Sequence, residues 1–328
     1  MNTMKVSIIV PIYRVEEHIE RCARSLMEQS YRNIEYIFVD DASPDKSMAR
    51  LEKLLTDYPE RRESIQIITH DENKGLPTAR NSGLRVANGD YIFHCDSDDW
   101  VDECMISELI AVAQQEDVDI IYTDFYLSFH TNERYMRQPE FKMPMDCLQG
   151  MLCGSMKFNV WNKLIKRKLY VDHGIVFPTG QSMGEDMTII KLFCKANTVK
   201  YIPNGYYHYM QTNPNAHTKR FSERQLVEIQ RNLEDVVRYI EQHVAMDLNR
   251  EVAYFKLNMK LPLLISLDTK MYALWRNWFP EANLFIKNNP AFSLRAKFIQ
   301  YAALKRMDWL VKLYNQLVIR FVYGIIFR

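Results

Sequence analysis

Three short aliphatic runs, Val6-Ser7-Ile8-Ile9-Val10, residues 34–39 and Ile65-Gln66-Ile67-Ile68, alternate with two helical segments. That alternation restricts the fold more than any other feature of the chain. The first run ends at Pro11, and Ile12-Tyr13 leads into a helix between Glu16 and Gln29. Its apolar residues Ile19, Cys22, Ala23, Leu26 and Met27 recur at helical spacing. Tyr31-Arg32-Asn33 turns the chain into the second strand, and a helix over about 47–58 returns it to the third. A β-α-β-α-β order of this kind predicts an α/β protein with a mostly parallel, doubly wound sheet.

The fourth strand, Tyr91 to Cys95, is bounded by Asn88-Gly89-Asp90 and delivers Asp96, Asp98 and Asp99 together at its carboxyl end. Ligands of open α/β sheets bind at that end. Carboxylates crowded there repel one another unless a cation sits among them, and hard oxygen ligands suit Mg²⁺ or Mn²⁺. The plain alternative is an acidic turn capping a helix over about 102–115. A second acidic strand end, Asp40-Asp41-Ala42-Ser43, favours the crevice, because adjacent strands line both clusters along one edge where a ribose and a base can be held. Arg80, on a helix over 78–87 after the Asn73-Lys74-Gly75-Leu76-Pro77 loop, lies near the same edge.

Another strand over 119–122 closes a nucleotide-sized half near residue 125. Residues 136–151, with Pro139 and Pro144, read as an irregular lid or connector. A new unit begins at residues 158–164, Gly184-Glu185-Asp186 opens a helix to about residue 195, and 199–209 is extended around Pro203. Beyond Phe221 the pattern is helical, interrupted by Pro262, Pro280 and Pro290. The expected division is a catalytic domain over 1–220 and a helical region over 221–328. Glu185 and Asp186 either cap their helix or supply a general base. His217, beyond Tyr206-Tyr207-His208-Tyr209, is a candidate late metal ligand.

A net charge of +1 argues against a nucleic-acid partner. Neither Gly-x-Gly-x-x-Gly nor Gly-x-x-x-x-Gly-Lys occurs, so a diphosphate here needs a metal or basic side chains to neutralise it. Gly180-Gln181-Ser182-Met183-Gly184 matches a hydrolase nucleophile elbow, but Pro178-Thr179 interrupts the strand that such an elbow requires. Six scattered cysteines without metal spacing fit a reducing cytosol, and Met1 to Pro11 lacks the apolar core of an export signal.

In order and spacing these pieces resemble family 2 glycosyltransferases of the GT-A fold, of the bacterial capsule and exopolysaccharide type. The resemblance rests on Val6-Ser7-Ile8-Ile9-Val10-Pro11-Ile12-Tyr13, Val39-Asp40-Asp41-Ala42-Ser43, Ala79-Arg80-Asn81-Ser82-Gly83 and residues 89–100. It continues through Trp161-Asn162-Lys163-Leu164 and Gly184-Glu185-Asp186-Met187, covering about residues 4–212. Arg14 stands where the family usually has asparagine, and the stretch around Asn215-Ala216-His217-Thr218 lacks the usual serine. The resemblance implies that Pro11 and Tyr13 frame the base, and that Asp41 with Asp40 holds base or ribose. It assigns Arg80 and Lys163 to the donor site. Asp96 would contact ribose or metal waters, Asp98 would ligate Mg²⁺ or Mn²⁺, and Asp186, beside Glu185, would deprotonate the acceptor. The activity implied is inverting transfer of a sugar from a nucleotide-sugar, UDP-linked by default, to a glycan or lipid-linked acceptor hydroxyl in surface polysaccharide synthesis. An inactive sugar-nucleotide-binding homologue and a Ser182 hydrolase are the alternatives.

From Leu294 to Arg328 the sequence has seven basic residues and one acid, Asp308, mixed with aromatic and aliphatic residues. That mixture suggests peripheral contact with the inner face of the plasma membrane, and the segment is too short and charged to span it. The plain alternative is a terminal helix packed on the rest of the protein.

Overall fold

The computed structural model describes residues 3–180, 184–212 and 223–318. In chain order its elements are β1 (Val6–Ile12), α1 (Ile19–Met27), β2 (Ile34–Asp40), α2 (Ser47–Leu55), β3 (Ile65–Thr69), α3 (Leu76–Val86) and β4 (Tyr91–His94). There follow β5 (Trp100–Val101), α4 (Met105–Glu116), β6 (Ile120–Ser128), β7 (Glu133–Met136), α5 (Pro144–Cys153), β8 (Lys163–Lys166), α6 (Arg167–Asp172), α7 (Thr188–Phe193), β9 (Val199–Met210) and α8 (Glu223–His243). The last helices are α9 (Asn249–Lys260), α10 (Thr269–Asn277), α11 (Leu294–Leu304) and α12 (Asp308–Leu317).

Two compact units result. The first comprises residues 1–146 with 158–243, and the second 147–157 with 244–328, so α8 belongs with the sheet and residues 147–157 with the later helices. In the first unit the strands run in the order β3-β2-β1-β4-β8-β6-β9-β5, with β7 also on β6. All seven residues of β1 are buried, which is why its sequence reads as an unbroken apolar run rather than an alternation. It pairs in parallel with β2 and β4, and β2 in parallel with β3, as the strand-helix alternation predicts. Gly83 lets α3 lie directly on β1: a Cβ there would come within 2.5 Å of Ile9 Cγ2. This contact fixes the height of α3 and therefore of Arg80, one turn earlier.

The second half of the sheet departs from the parallel pattern. β8 runs antiparallel between β4 and β6, a four-residue strand that its sequence does not announce. β6 then pairs in parallel with β9, and the register shifts between Thr123↔Ile202 and Asp124↔Gly205. Pro203 falls in that irregularity, where its missing N–H breaks no ladder bond. Residues 136–151 are more regular than their prolines suggest. Met136 ends β7, and Pro144 is the first residue of α5, a position where proline is pre-organised for a helix rather than a breaker.

In the second unit Tyr272, Trp275, Ile286 and Val311 form a buried core. Pro262 and Pro280 open short 3₁₀ turns, and Pro290 lies in the loop before α11. The buried Lys260 donates to the carbonyls of Trp278 (2.7 Å) and Phe279 (3.3 Å) and to Asn283 Oδ1 (2.7 Å). Among the described residues, no helix is long and apolar enough to cross a membrane.

Candidate active site

The carboxyl ends of β1, β2 and β4 open on one edge of the sheet, and the acids that follow β4 meet three different environments. Asp99 is fully buried. It accepts from the Tyr207 hydroxyl and the Met210 N–H, both at 2.7 Å. Burial, then the charges of Asp98 and Asp96, push its carboxyl well above the usual range. The Tyr207 oxygen also accepts from the Asp96 N–H at 3.0 Å, so β9 pins the turn after β4 at two points. Asp98 offers its backbone carbonyl to Arg21 Nη2 (3.1 Å). Asp96, partly exposed like Asp98, accepts at its Oδ1 from Arg80 Nη2 at 2.7 Å.

Arg80 organises the site. Only 1% exposed, it reaches Asp96 with one arm and Asp186 Oδ1 with the other (3.3 Å). Burial alone would favour loss of its proton, but Asp96, Asp186 and Glu185 outweigh that and hold the guanidinium charged. The neighbouring Asn81 exchanges two hydrogen bonds with the backbone of Phe177, 2.8 and 2.9 Å, and the Phe177 ring lies 5.5 Å below the guanidinium carbon. The motif that precedes Gly83 therefore builds a fixed cation from which two carboxylates hang.

The second of these comes from the segment that opens at Gly184. With φ of 83° in the left-handed region, Gly184 turns the chain into a short 3₁₀ segment, Glu185–Met187, that leads into α7. Asp186 faces the site and keeps partial exposure. Burial raises its affinity for a proton, Arg80 opposes this, and Asp96 adds to it; the net direction is upward. Glu185 points inward, and burial followed by the charge of Asp186 pushes its carboxyl up to about 8. At neutral pH Glu185 is thus largely protonated, and of the two carboxyls only Asp186 is partly exposed to the site. A raised carboxylate pKa contributes stability that is present below the unfolded value and lost as pH rises through the folded one. Between the ordinary value of 4.5 and about 8 the parent therefore loses the stability that Glu185 contributes, and Glu185→Gln is expected to lose less melting temperature than the parent over that window; thermal melts across it check this.

The remaining predicted residues are distributed unevenly. Asp40, the last residue of β2, accepts from the Ser43 N–H (2.9 Å). Asp41 is buried, and both its oxygens are engaged: Oδ1 with His70 Nδ1 (2.7 Å) and the Lys74 N–H (2.8 Å), Oδ2 with the Gly75 N–H (2.8 Å). In this arrangement Asp41 ties down the loop before α3. Lys163, assigned to the donor site by its motif, is also buried; its ammonium donates to the Asn159 carbonyl (2.6 Å) and Asn162 Oδ1 (2.8 Å), and it acts on Asp186 through its charge. Pro11 is buried in β1, and Tyr13 stays half exposed just beyond its end. Arg14, where the family usually has asparagine, has φ of 55°, a conformation that asparagine tolerates better than arginine. Its guanidinium folds over the Tyr13 ring, 5.2 Å from the centroid. His217 and Ser182 lie outside the described residues.

Sequence reasoning missed the aromatic wall. Trp161 stacks on Tyr207 (centroids 4.4 Å) and leans on Tyr209 (5.1 Å), and burial together with the charges of Asp99, Asp96, Asp98 and Asp186 raises the Tyr209 hydroxyl pKa. Tyr209 therefore feels the field of all four acids. The signal available was Trp161 beside Asn162, but a tyrosine-rich strand does not say which of its rings faces the crevice.

Comparison with known proteins agrees with this geometry. Residues 7–188, more than half of the chain, match the family described as Glycosyl transferase family 2. The chain is 33% identical over 223 residues to the uncharacterized glycosyltransferase EpsJ of Bacillus subtilis strain 168, a match that spans 65% of this chain and 63% of EpsJ. Among solved structures, residues 1–349 of S. aureus TarS in complex with UDP-GlcNAc superpose with a TM-score of 0.70 at 18% identity, covering 96% of this chain and 91% of that one. The mannosyltransferase PcManGT of Pyrobaculum calidifontis, in complex with GDP-Man and Mn²⁺, gives 0.53 at 17% identity, over 96% and 82%. Such likenesses carry the GT-A fold, and the family match carries membership: the chain belongs to glycosyl transferase family 2.

Proposed function

We propose that the protein transfers a sugar, with inversion, from a nucleotide-sugar to an acceptor hydroxyl in the synthesis of a surface polysaccharide. The observation that carries this reading is the Asp96–Arg80–Asp186 bridge, which joins the acidic strand end to a carboxylate 90 residues later and gives the two groups one frame. Asp186 accepts the proton of the acceptor hydroxyl, whose oxygen attacks the anomeric carbon. The bond from that carbon to the diphosphate oxygen breaks on the opposite side, and the nucleoside diphosphate leaves with the electron pair. Opposed groups of this kind invert the centre, as in inverting glycoside hydrolases. Asp40 and Tyr13 flank the nucleoside end, and the half-buried ring of Tyr209, backed by Trp161, is available to a sugar ring.

The donor set suits a divalent metal. Burial, then the negative field of Asp98 and Asp96, pushes the Asp99 carboxyl well above the usual range, and a cation would relieve that field. Among the described residues no group of three or more His, Cys, Asp or Glu side chains forms a metal cage, which fits an ion of the Mg²⁺ or Mn²⁺ kind, held by one or two carboxylates plus substrate phosphates. Asp98 and Asp96 are the residues that would hold it, and its charge would stabilise the departing diphosphate. The PcManGT complex with Mn²⁺ and the TarS complex with UDP-GlcNAc support a metal and a UDP-linked donor here.

A panel of nucleotide-sugars, screened for protection against thermal unfolding with and without Mn²⁺, tests the reading. One UDP-sugar is expected to raise the melting temperature only with Mn²⁺, and Asp98→Asn to abolish that shift while leaving the unliganded melt unchanged. Protection that survives Asp98→Asn removes the metal assignment, and no protection by any donor removes the function.

A further inference from the structure

We propose that the outer faces of α11 and α12 dock on the surface of an anionic lipid bilayer. The second unit fixes how α12 is rotated. Asn315 Nδ2 donates to the carbonyls of Leu264 (2.7 Å) and Ser266 (2.9 Å), and Arg276 grips both oxygens of Asp308 (2.6 and 3.1 Å) while donating to the Ala303 carbonyl (3.0 Å). Val311 and Asn315 therefore face inward, and Trp309, Leu313 and Leu317, four residues apart in turn, face outward. Trp309 is 65% exposed. On α11 the inward residues are Ile299, Ala302 and Ala303, and the outward ones Leu294 (85% exposed), Phe298 (50%) and Tyr301. Single exposed apolar residues are ordinary, but a stripe on each of two consecutive helices is a patch that marks an interaction surface.

The charges around it say which surface. Arg295, Lys305, Arg306 and Lys312 are exposed on the same two helices or in the turn between them. Asp308, the one acid after residue 294, is neutralised by Arg276. An aromatic and aliphatic face rimmed by uncompensated cations matches the interfacial layer of an anionic membrane, where apolar side chains enter and ammonium groups meet headgroup phosphates. The ten described residues of α12 span about 15 Å, and with apolar side chains on one face and cations beside them they suit lying along the interface. A lipid-linked acceptor would give such docking a purpose, but the proposal stands apart from the transfer reaction.

The test is co-sedimentation of the full chain with vesicles of phosphatidylcholine alone or mixed with phosphatidylglycerol, at low and high salt. The protein is expected to sediment with the mixed vesicles at low salt and to be released at high salt. Each basic residue near an anionic surface contributes about fivefold, so Lys305→Gln/Arg306→Gln/Lys312→Gln is expected to weaken binding by roughly 100-fold. Trp309→Ser/Leu313→Ser/Leu317→Ser is expected to abolish it, with unchanged donor-induced thermal protection as the check that the first unit is intact. Because the three basic side chains are exposed, their variant keeps the proposal open to refutation even if the apolar variant fails to fold. No sedimentation of the parent protein, or equal sedimentation of the charge variant, overturns the proposal. So does a lipid-free dimer that the apolar variant dissociates, since the patch would then be covered by a second copy.

Discussion

Replacing Asp186 by asparagine is expected to slow transfer by about 10²–10⁴-fold, the contribution typical of a general base, while donor affinity stays nearly constant. The substitution keeps the shape and an oxygen for the Arg80 arm at 3.3 Å and removes only the capacity to take the acceptor's proton. Because burial and Asp96 raise the Asp186 pKa against the opposing pull of Arg80, the ascending limb of the parent rate profile should lie above the ordinary carboxylate range. Asp186→Asn should flatten that limb. Rates with a saturating donor across pH 4–8, read beside donor binding, make the measurement. If Glu185→Gln proves the more damaged enzyme, the buried neighbour is the base and the assignment is reversed.

Arg80→Met should harm both stability and turnover. Removing one partner from a buried ionic cluster typically costs about 3–5 kcal/mol. Here the lower end is expected, because Asp96 and Asp186 keep partial access to water. With the guanidinium gone, the two carboxylates lose their common anchor, and a misplacement of reacting groups by about 1 Å can cost 10²-fold in rate. The Asp186 limb should also move to higher pH, since Arg80 is the group that holds it down. Arg80→Lys should recover more stability than activity, because an ammonium keeps the charge but lacks the planar fork that reaches two carboxylates. Urea unfolding and rate profiles of both variants separate the effects. Full turnover in Arg80→Met would make the bridge idle.

The parallel half of the sheet was legible because β1, β2 and β4 are almost wholly buried, so Val6–Ile12 and Ile34–Asp40 carry long aliphatic runs, while β3 at the edge is half-buried to exposed yet keeps its isoleucines. The acids after β4 were visible because they end one of these buried runs. What could not be read were distances across the chain. Asp186 lies 106 residues from Arg80, and no periodicity connects them. Arg80 showed as a cation near the right edge, but its burial, which makes it a bridge between side chains, depends on the Phe177 ring beside it and on Gly83 letting α3 sit close on β1. Asp41 and Lys163 showed as charged residues in a motif, but that each also fixes a loop through backbone and side-chain bonds was not legible. The strand β8 and helix α5 were missed because one is four residues long and the other starts with a proline, where local pattern is weakest.

The Tyr207 hydroxyl that satisfies Asp99 also carries a consequence for how the enzyme is made. The two residues are 108 positions apart, so on a ribosome moving at about 5–20 residues per second the acid precedes its partner by on the order of 10 s. Through that interval β1 to β4 are already available to pair, while Asp99 has neither of its two donors and must stay in water. The turn that presents Asp96 and Asp98 is consequently left open on the nascent chain until β9 emerges. Whatever binds at this edge therefore meets a finished turn only after β9, with Tyr207 and Met210, has left the ribosome.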